Sequence, residues 1–381
     1  MRKLSCIVMS LIIAAAATSC SSKAPQEDLA MIESSAVSVQ TEDTVVSSEA
    51  DVQSEAELSA VAKETDPKFK QALDECIEDY EFEGIIYAEK GGDPIAVYSS
   101  GKLENGDDIT IDTPMPIGSV SKQFCAAAVM LLAEEGKLTI DDTLDKYFPD
   151  YPEGGRLTMK DLVSMRSGIP EVTEDSELVT IDKTEEENRN SIKELTFEQQ
   201  LMFEPGTKFQ YANINYFLLS DIVEQVTGMK YGDYLRSSFF TPLGMMHTGM
   251  IGELDGSPEW ADGVDFDQID KQPGLTNGCG DIISNALDIS TWIKALSAGE
   301  VISQESYKAM TTSYSEEGYG FGMYTNISGG VGHYGAIGIY SAFDYINEDT
   351  SFTLVTFSNT IYPLEMTPFS NDIINVLNSG E

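Results

Sequence analysis

The sequence predicts a mixed α/β (α+β) fold, in which an antiparallel sheet is formed by the N- and C-terminal segments and flanked by helices, with a mostly helical region inserted between them. Two observations carry this prediction. Strand-forming segments concentrate near both ends of the chain beyond residue 67, and the region between them, about residues 119–298, has helical periodicity.

The first predicted elements are a helix and a hairpin. Apolar spacing predicts a helix over residues 68–80, and residues 82–88 are rich in strand formers. Gly91-Gly92-Asp93-Pro94 is a strong turn sequence, and residues 95–98 form a second apolar run beyond it. We therefore expect an antiparallel hairpin after the first helix.

The C-terminal part is predicted to extend the same sheet. Strands are expected at residues 319–324, 339–346 and 351–357, and residues 363–377 are expected to close the chain as a helix. The helices expected in the inserted region cover residues 122–135, 159–164, 216–226, 231–239 and 287–296. Residues 171–200 carry ten acidic and three basic side chains, which is typical of a solvated loop or lid.

The charge balance excludes some classes of partner. The chain of 381 residues has 64 acidic and 23 basic side chains, a net charge of −41, so it repels a phosphate backbone and is not expected to bind nucleic acid. The two histidines, His247 and His333, share no metal-binding spacing, and no cysteine pair has the C-x-x-C pattern. A zinc centre is therefore not expected.

The first residues have the pattern of an export signal. Arg2 and Lys3 precede an apolar run over residues 4–17 that is too short for a stable membrane span. The small residues before Cys20 are similar to a bacterial lipobox, which predicts a lipoprotein-type signal peptide over residues 1–20, lipidation of Cys20 and a membrane-anchored, extracytoplasmic protein. Ordinary cleavage, with a secreted product and Cys20 as a bystander, is the alternative.

Residues 21–67 are predicted to be a disordered, acidic, serine-rich stalk. Residues 21–66 include eleven acidic residues and nine serines but no glycine or aromatic residue, a composition that cannot bury enough apolar area to offset the entropy of ordering. Residues 68–381 remain as the folded domain. Its cysteines, Cys76, Cys125 and Cys279, show no disulfide spacing and are expected to be buried free thiols.

The first candidate for chemistry is the pair Ser119 and Lys122, which stand three residues apart at a predicted helix start and can therefore touch. A serine needs a neighbouring base to become a good nucleophile, and a lysine in a desolvated pocket loses enough pKa to act as one. The N-terminal amides of the helix add positive potential where an oxyanion would form. An N-cap serine beside a surface lysine is the alternative interpretation.

Two further motifs lie later in the chain. Tyr211-Ala212-Asn213 precedes an apolar helix; the phenol beside a lysine ammonium suits a general base, and the asparagine amide suits substrate binding. His333, in the glycine-rich segment 332–338 before a predicted strand, suits contact with a substrate carboxylate or proton exchange with Tyr211. A half-buried aromatic residue, a helix cap and a structural histidine are the respective alternatives.

Together the motifs resemble those of the penicillin-recognising serine hydrolases, in particular the branch of class C β-lactamases, D-alanyl-D-alanine carboxypeptidases and related esterases. They occur in the family's order, as Ser119-Val120-Ser121-Lys122, Tyr211-Ala212-Asn213 and His333-Tyr334-Gly335. The resemblance covers roughly residues 69–377 and includes connecting phrases such as Ser167-Gly168-Ile169-Pro170. It implies a β-lactamase/transpeptidase-like fold.

The resemblance also implies residue roles. Ser119 would be the nucleophile that forms an acyl-enzyme, and Lys122 and Tyr211 would share proton transfer. The oxyanion hole would consist of the backbone N–H groups of Ser119 and Ala336, and no metal or cofactor would be needed. The residues expected to bind substrate are Asn213, His333, Gly335 and Ala336.

Two departures from the family pattern argue against efficient β-lactamase activity. Met165 and Arg166 stand where many relatives have a histidine and a threonine. His333 stands where β-lactamases and peptidases usually have the lysine that attracts a substrate carboxylate, and a mostly neutral imidazole is a weaker anchor for that group.

We therefore expect an extracytoplasmic serine hydrolase that acts on an amide or ester, as a D-Ala-D-Ala-type peptidase or an esterase, with a small-molecule or peptide substrate and a membrane contact through its lipid anchor. A sensor or binding module that keeps the cleft without turnover is the alternative. An esterase with a Ser-His-Asp triad built on His333 or His247 is a weaker alternative, because the G-x-S-x-G sequence is not present.

Overall fold

A computed structural model of the chain describes residues 67–173, 184–251, 264, 276–361 and 363–379. These residues belong to one compact unit, Ser54–Glu381. The expected signal peptide with Cys20, and the expected stalk up to residue 66, lie outside the described residues and stay predictions. Within the described ranges, no helix has both the length and the apolar composition needed to cross a bilayer.

The helices and strands alternate along the chain as follows. The helices are α1 (Pro67–Asp79), α2 (Ser121–Glu134), α3 (Met159–Val163), α4 (Glu185–Glu198), α5 (Asn213–Thr227), α6 (Tyr231–Leu235), α7 (Ala286–Ala298), α8 (Gln304–Met310) and α9 (Pro363–Ser379). The strands are β1 (Gly84–Lys90), β2 (Asp93–Ser100), β3 (Met115–Pro116), β4 (Gly249–Met250), β5 (Ile282–Ser284), β6 (Tyr324–Ile327), β7 (Gly330–Ile337), β8 (Tyr340–Asn347) and β9 (Phe352–Ser358).

The main sheet has six strands in the order β2-β1-β9-β8-β7-β6, and each strand is antiparallel to its neighbours. The N-terminal hairpin therefore pairs with the C-terminal strand β9, for example at Ile85 and Phe357. A second sheet, in the order β3-β5-β4, lies in the inserted region. This arrangement confirms the predicted mixed fold, with a sheet built from both ends of the domain.

Helices cover both faces of the main sheet. Successive residues of β1 point to opposite faces, so Ile85 and Tyr87 join one apolar cluster while Ile86 and Ala88 join another. The first cluster contains residues of α2 and α7, and the second contains residues of α1 and α9. Burial of both faces explains why β1 is a continuous apolar run rather than an alternating one.

The helix α2 runs through the core of the domain. It is buried along most of its length, and such a helix carries apolar residues on every side. Phe124 stacks on Trp292 of α7, with ring centroids 3.8 Å apart. The 3₁₀ turn Gly118–Val120 directly precedes α2 and is thereby anchored to this buried helix.

The segment of the third motif differs from the sequence prediction. The motif His333-Tyr334-Gly335 lies inside β7, whereas the sequence predicted a strand only from residue 339 onward. Three glycines lower the strand propensity of β7, but neighbouring atoms fill the space that a Cβ would take at each of them. The strand predicted at residues 319–324 is displaced in the same way, because β6 begins at Tyr324.

Part of the acidic segment at residues 171–200 also differs from the sequence prediction of a solvated loop or lid. Residues 185–198 form α4, which begins with a capping box between Thr184 and Glu187. Arg189 of α4 is buried and forms ion pairs with Asp221 and Glu224 of α5. The expectation of a solvated loop or lid is therefore wrong for α4, and residues 174–183 lie outside the described residues.

The cysteines of the described domain are buried free thiols, as the sequence predicts. They lie in α1 (Cys76), in α2 (Cys125) and in the loop before β5 (Cys279). Burial raises the pKa of the Cys76 thiol to about 11 and that of the Cys279 thiol to about 12. At neutral pH these thiols are protonated.

Candidate active site

Ser119 and Lys122 are in direct contact. Lys122 Nζ donates a hydrogen bond to Oγ of Ser119 at 2.9 Å and a second one to the carbonyl oxygen of Cys279 at 2.7 Å. Ser119 is half-buried, and Lys122 is completely buried. The contact expected from the three-residue spacing is therefore present.

The surroundings of Lys122 favour its neutral form. Burial lowers the pKa of Lys122 to about 8, because an ammonium loses its hydration when it is taken out of water. The nearby carboxyl groups of Glu171 and Asp281 act against this effect and keep the pKa from falling further. An amine in this range exchanges its proton near neutral pH and can serve as a base for Ser119.

The Y-x-N motif lies beside this pair, at the start of α5. Lys122 Nζ is 4.9 Å from the centre of the Tyr211 ring, and Tyr211 and Asn213 are both half-buried. The backbone N–H of Asn213 donates to the carboxylate of Glu171. Since Ala212 at the N-cap position offers no side-chain acceptor, Glu171 caps the helix in its place. The structure thus brings the three predicted catalytic side chains into one region.

The main chain of β7 packs directly against the turn that carries the serine. A Cβ atom at Gly335 would lie 1.9 Å from the carbonyl oxygen of Ile117 and 3.2 Å from the backbone nitrogen of Ser119. A Cβ atom at Gly118 would lie 2.5 Å from the backbone nitrogen of Ala336. Only glycine fits at such distances, so the sequence allows the backbones of Ser119 and Ala336 to lie side by side.

The free edge of β7 begins at the third motif. Whereas β8 pairs with β7 from Gly330 to Ile337, β6 pairs with it at Gly330 and Gly332. Beyond residue 332, β7 pairs with no further strand of the described residues on this side, Gly335 packs against the turn Gly118–Val120, and Ala336 is exposed. An exposed strand edge is suited to an extended substrate. At Gly335, however, the backbone that approaches closely is the chain's own, rather than the ligand that the sequence interpretation expected.

The ring of His333 lies beneath this edge and is 1% exposed. Its Nδ1 is 2.6 Å from the carbonyl oxygen of Tyr334, and its Nε2 is 3.2 Å from the hydroxyl of Tyr319. Because a carbonyl oxygen only accepts, Nδ1 carries the proton and Nε2 accepts from Tyr319. Burial and the nearby charge of Lys122 lower the pKa of His333 to about 3. His333 is therefore neutral and buried in the structure.

Sequence reasoning missed several contacts that support the site. The thioether of Met165 lies 3.4 Å from the backbone nitrogen of Ala212, and the guanidinium of Arg166 donates to the carbonyl oxygen of Gly206. The two residues that depart from the family pattern thus hold the loop that leads into the Y-x-N motif. The role of Glu171 in capping α5 was also missed. Its position directly after the Ser167–Pro170 phrase was the sequence signal that could have placed it near the site.

Two buried carboxyl groups flank α2. Asp281 accepts the N–H of Gly278 at 2.8 Å, and Asp344 accepts the N–H of His333 at 2.9 Å. Burial raises the pKa of each carboxyl to about 7. Both groups therefore titrate near neutral pH in the folded protein.

Comparison with known proteins gives a family for this arrangement. Residues 69–377 match the family described as Beta-lactamase. The chain is 30% identical over 275 residues to PbpX of Bacillus subtilis (strain 168), an alignment that covers 70% of this chain and 67% of that protein. It is 28% identical over 274 residues to the protein flp of Staphylococcus aureus (strain NCTC 8325 / PS 47), covering 65% of this chain and 53% of flp. The chain thus spans about half the length of flp.

Solved structures with the same fold include a D-amino acid amidase from Ochrobactrum anthropi SV3, with a TM-score of 0.70 and 22% identity over 82% of this chain and 99% of that one. A penicillin binding protein from Bacillus halodurans has a TM-score of 0.65 and 21% identity over 81% of this chain and 100% of that one. At these identities the likeness establishes the fold. Together with the family match, it shows that the chain belongs to the Beta-lactamase family, within the superfamily of penicillin-recognising serine hydrolases.

Proposed function

We propose that this chain is an extracytoplasmic serine hydrolase that acts through an acyl-enzyme on an amide or ester substrate. The observation that carries the proposal is the 2.9 Å hydrogen bond between Lys122 Nζ and Ser119 Oγ, made by an amine whose pKa is lowered to about 8. This pair combines a nucleophile with a base that gains and loses its proton near neutral pH.

Acylation follows from the contacts of Ser119. Its Oγ attacks the substrate carbonyl carbon while neutral Lys122 takes the hydroxyl proton, and the carbonyl electron pair moves onto oxygen. The N–H groups of Ser119 and Ala336 donate to that oxyanion. When the intermediate collapses, the bond to the leaving amine or alcohol breaks, and the leaving group receives the proton from Lys122 by way of Tyr211. Ser119 is left as an ester.

Deacylation repeats these steps with water. Water attacks the ester carbonyl and gives its proton to Lys122 or Tyr211, the same N–H groups hold the oxyanion, and the carboxylic acid leaves as Ser119 regains a proton. General acid–base help contributes roughly 10²–10⁴-fold and one oxyanion donor roughly 10²–10³-fold. Loss of Ser119 is therefore expected to outweigh the loss of any single helper.

The state of His333 bears on the substrate class. Its ring is neutral and buried, so it offers no cation to a substrate carboxylate. This favours an esterase over a β-lactamase, and a peptidase of the D-Ala-D-Ala type would have to bind its substrate's carboxylate through other residues. The fold shared with a D-amino acid amidase supports the inclusion of amides among the candidate substrates.

A serine-directed probe tests the proposal. Incubation of the protein with a fluorophosphonate, followed by intact-mass analysis, is expected to show one adduct that is lost in Ser119→Ala. Ser121→Ala is the matched control, because the Ser121 hydroxyl is buried and accepts the N–H of Ile282 at 3.2 Å. A folded wild-type protein without an adduct, or an adduct that persists in Ser119→Ala, overturns the proposal.

A substrate panel then identifies the reaction. Nitrocefin, D-Ala-D-Ala peptides and short p-nitrophenyl esters are each tested as substrates of wild type and of Ser119→Ala, and the class whose turnover disappears in the variant is the substrate class. Stable acylation of Ser119 without turnover of any of them favours the alternative, a sensor or binding module.

The location is tested separately. Lipidation at Cys20 predicts that an alkyne fatty acid fed to the expressing bacterium labels the protein and that the protein is recovered with the membrane. Cys20→Ser is expected to abolish labelling, whereas Cys76→Ser is expected to keep it. A protein that is released into the medium without label contradicts the anchor.

A further inference from the structure

A buried hydrogen-bond network links α2, which directly follows the turn with Ser119 and is called the nucleophile helix here, to α7, β7 and β8. Trp292 Nε1 of α7 donates to Oε1 of Gln123 at 3.1 Å, and Gln123 Nε2 lies 2.7 Å from each carboxylate oxygen of Asp344 in β8. The backbone N–H of His333 in β7 donates to Oδ1 of Asp344 at 2.9 Å. All four residues are buried.

The direction of each hydrogen bond in this network is fixed by chemistry. An indole N–H only donates, so the atom of Gln123 that faces Trp292 must be its oxygen. The amide nitrogen of Gln123 therefore points at Asp344, and position 344 has to present acceptors both to this nitrogen and to the N–H of His333. The ionised form of Asp344, which predominates above its pKa of about 7, meets that requirement because both of its oxygens accept.

The network joins the two segments that carry the proposed oxyanion hole. Gln123 directly follows Lys122 in α2 and lies one helical turn from Ser119, while His333 lies three residues before Ala336 in β7. Apolar packing between a helix and a strand is not directional, whereas buried hydrogen bonds fix both distance and orientation. Asp344 bonds to both segments at once.

We propose that Asp344 is a positioning residue for acylation, which fixes the nucleophile helix and β7 relative to each other so that the N–H groups of Ser119 and Ala336 converge on one oxygen. This inference rests on the proposed function, since it assumes that Ser119 is acylated. An oxyanion site tolerates displacements of only about 0.5 Å, so small shifts of β7 are expected to slow acylation in a protein that is still folded.

A polarity swap tests this role. Asp344→Asn places an amide nitrogen against the amide nitrogen of Gln123, and Gln123→Glu places one carboxylate against another. In the double variant, Glu at 123 accepts from Trp292 and from the new amide at 344, whose oxygen still accepts the N–H of His333. These three hydrogen bonds are regained with the same number of heavy atoms, and only the contact between the side chain at 123 and Oδ1 at 344 loses its donor.

The measurement is the rate at which fluorophosphonate labels Ser119, separated into probe affinity and the rate of bond formation. Each single variant is expected to lose up to roughly 10²–10³-fold in bond formation, the effect of an oxyanion donor, with a smaller change in affinity. The double variant is expected to return most of the rate. Ile346→Val, elsewhere in β8, is the stability control and is expected to lower the melting temperature while leaving the labelling rate unchanged.

The outcomes separate this inference from the proposed function. Wild type that is not labelled at Ser119 overturns both. The positioning role alone is overturned if wild type is labelled at Ser119 and the Asp344→Asn variant is labelled equally fast. It is also overturned if a folded double variant is still labelled slowly. If a single variant does not fold, the folded double variant still decides, because only a restored rate is compatible with the proposal.

Discussion

The carbonyl oxygen of Cys279 accepts a hydrogen bond from Lys122 Nζ at 2.7 Å, and the same amine reaches Ser119 Oγ at 2.9 Å. The amine is thus held between a fixed backbone acceptor and the nucleophile. A carbonyl oxygen does not titrate, so the protonation of Lys122 is governed by burial and by the charged groups around it.

The first consequence concerns the pH dependence of acylation. Neutral Lys122 is the base, and burial lowers its pKa to about 8, so the active fraction grows as the pH rises through that value. The rate of Ser119 labelling by a neutral fluorophosphonate, measured between pH 5 and pH 10, is expected to increase along such a curve.

Lys122→Arg is the matched variant for this profile. Its guanidinium stays charged at every pH used, so the increase through pH 8 is expected to disappear and the rate to fall by roughly 10²–10⁴-fold. A wild-type rate that does not change between pH 6 and pH 9 contradicts the role of Lys122 as the base.

A methyl group at position 335 is expected to disrupt the oxyanion hole. In Gly335→Ala the new Cβ would lie 1.9 Å from the carbonyl oxygen of Ile117, so β7 has to move away from the turn that carries Ser119. Loss of the Ala336 donor then reduces turnover by roughly 10²–10³-fold.

The control for this change is Gly155→Ala. Gly155 is exposed, and a Cβ there meets Asp145 Oδ2 at an ordinary 3.4 Å, so turnover is expected to stay at the wild-type level. Circular dichroism confirms that both variants are folded. Full activity in Gly335→Ala would show that β7 does not supply the donor.

The thiol of Cys279 is expected to be dispensable. Lys122 uses the carbonyl oxygen of this residue, so Cys279→Ala keeps the acceptor, and its acylation rate is expected to match that of wild type. Burial raises the pKa of the thiol to about 12, and a protonated, buried thiol is a poor nucleophile. Titration with Ellman's reagent is accordingly expected to modify Cys279 only after unfolding. Rapid reaction of the native protein, or a slow Cys279→Ala variant, is the contrary result.

Local pattern was enough to predict several parts of this structure. The helix expected at residues 68–80 is observed at Pro67–Asp79, and the expected hairpin is formed by Gly84–Lys90 and Asp93–Ser100. The contact between Ser119 and Lys122 was predictable for the same reason, since a spacing of three residues at a helix start fixes which side chains meet.

The parts that the sequence did not predict depend on distant segments. Gly335 looks unfavourable in a strand until Ile117 occupies the space above it, and the carbonyl of Cys279 has no signature because every residue has one. His333 was expected to contact a substrate carboxylate or to exchange protons with Tyr211, and only the fold shows that its buried ring hydrogen-bonds to Tyr334 and Tyr319. Burial and tertiary contacts thus decide what the motif residues can do.

The buried carboxyl of Asp281 is expected to make stability depend on pH. Burial raises its pKa from 3.8 to about 7, so the folded state binds the proton more tightly than the unfolded state does. The stabilisation is complete below pH 3.8 and is lost as the pH rises to about 7, by about 1.4 kcal/mol per pH unit for one such group.

The variant Asp281→Asn isolates this contribution, because its amide does not titrate but its oxygen can still accept the N–H of Gly278. The free energy of unfolding is measured with urea at several values between pH 4.5 and pH 7.5. The value for the variant minus that for wild type is expected to increase as the pH rises. Asp93→Asn, at the exposed start of β2, is expected to leave the difference constant. A constant difference for Asp281→Asn as well would mean that Asp281 keeps an ordinary pKa. The carboxylate of Asp281 would then be charged at every pH of the experiment and would act on Lys122 throughout.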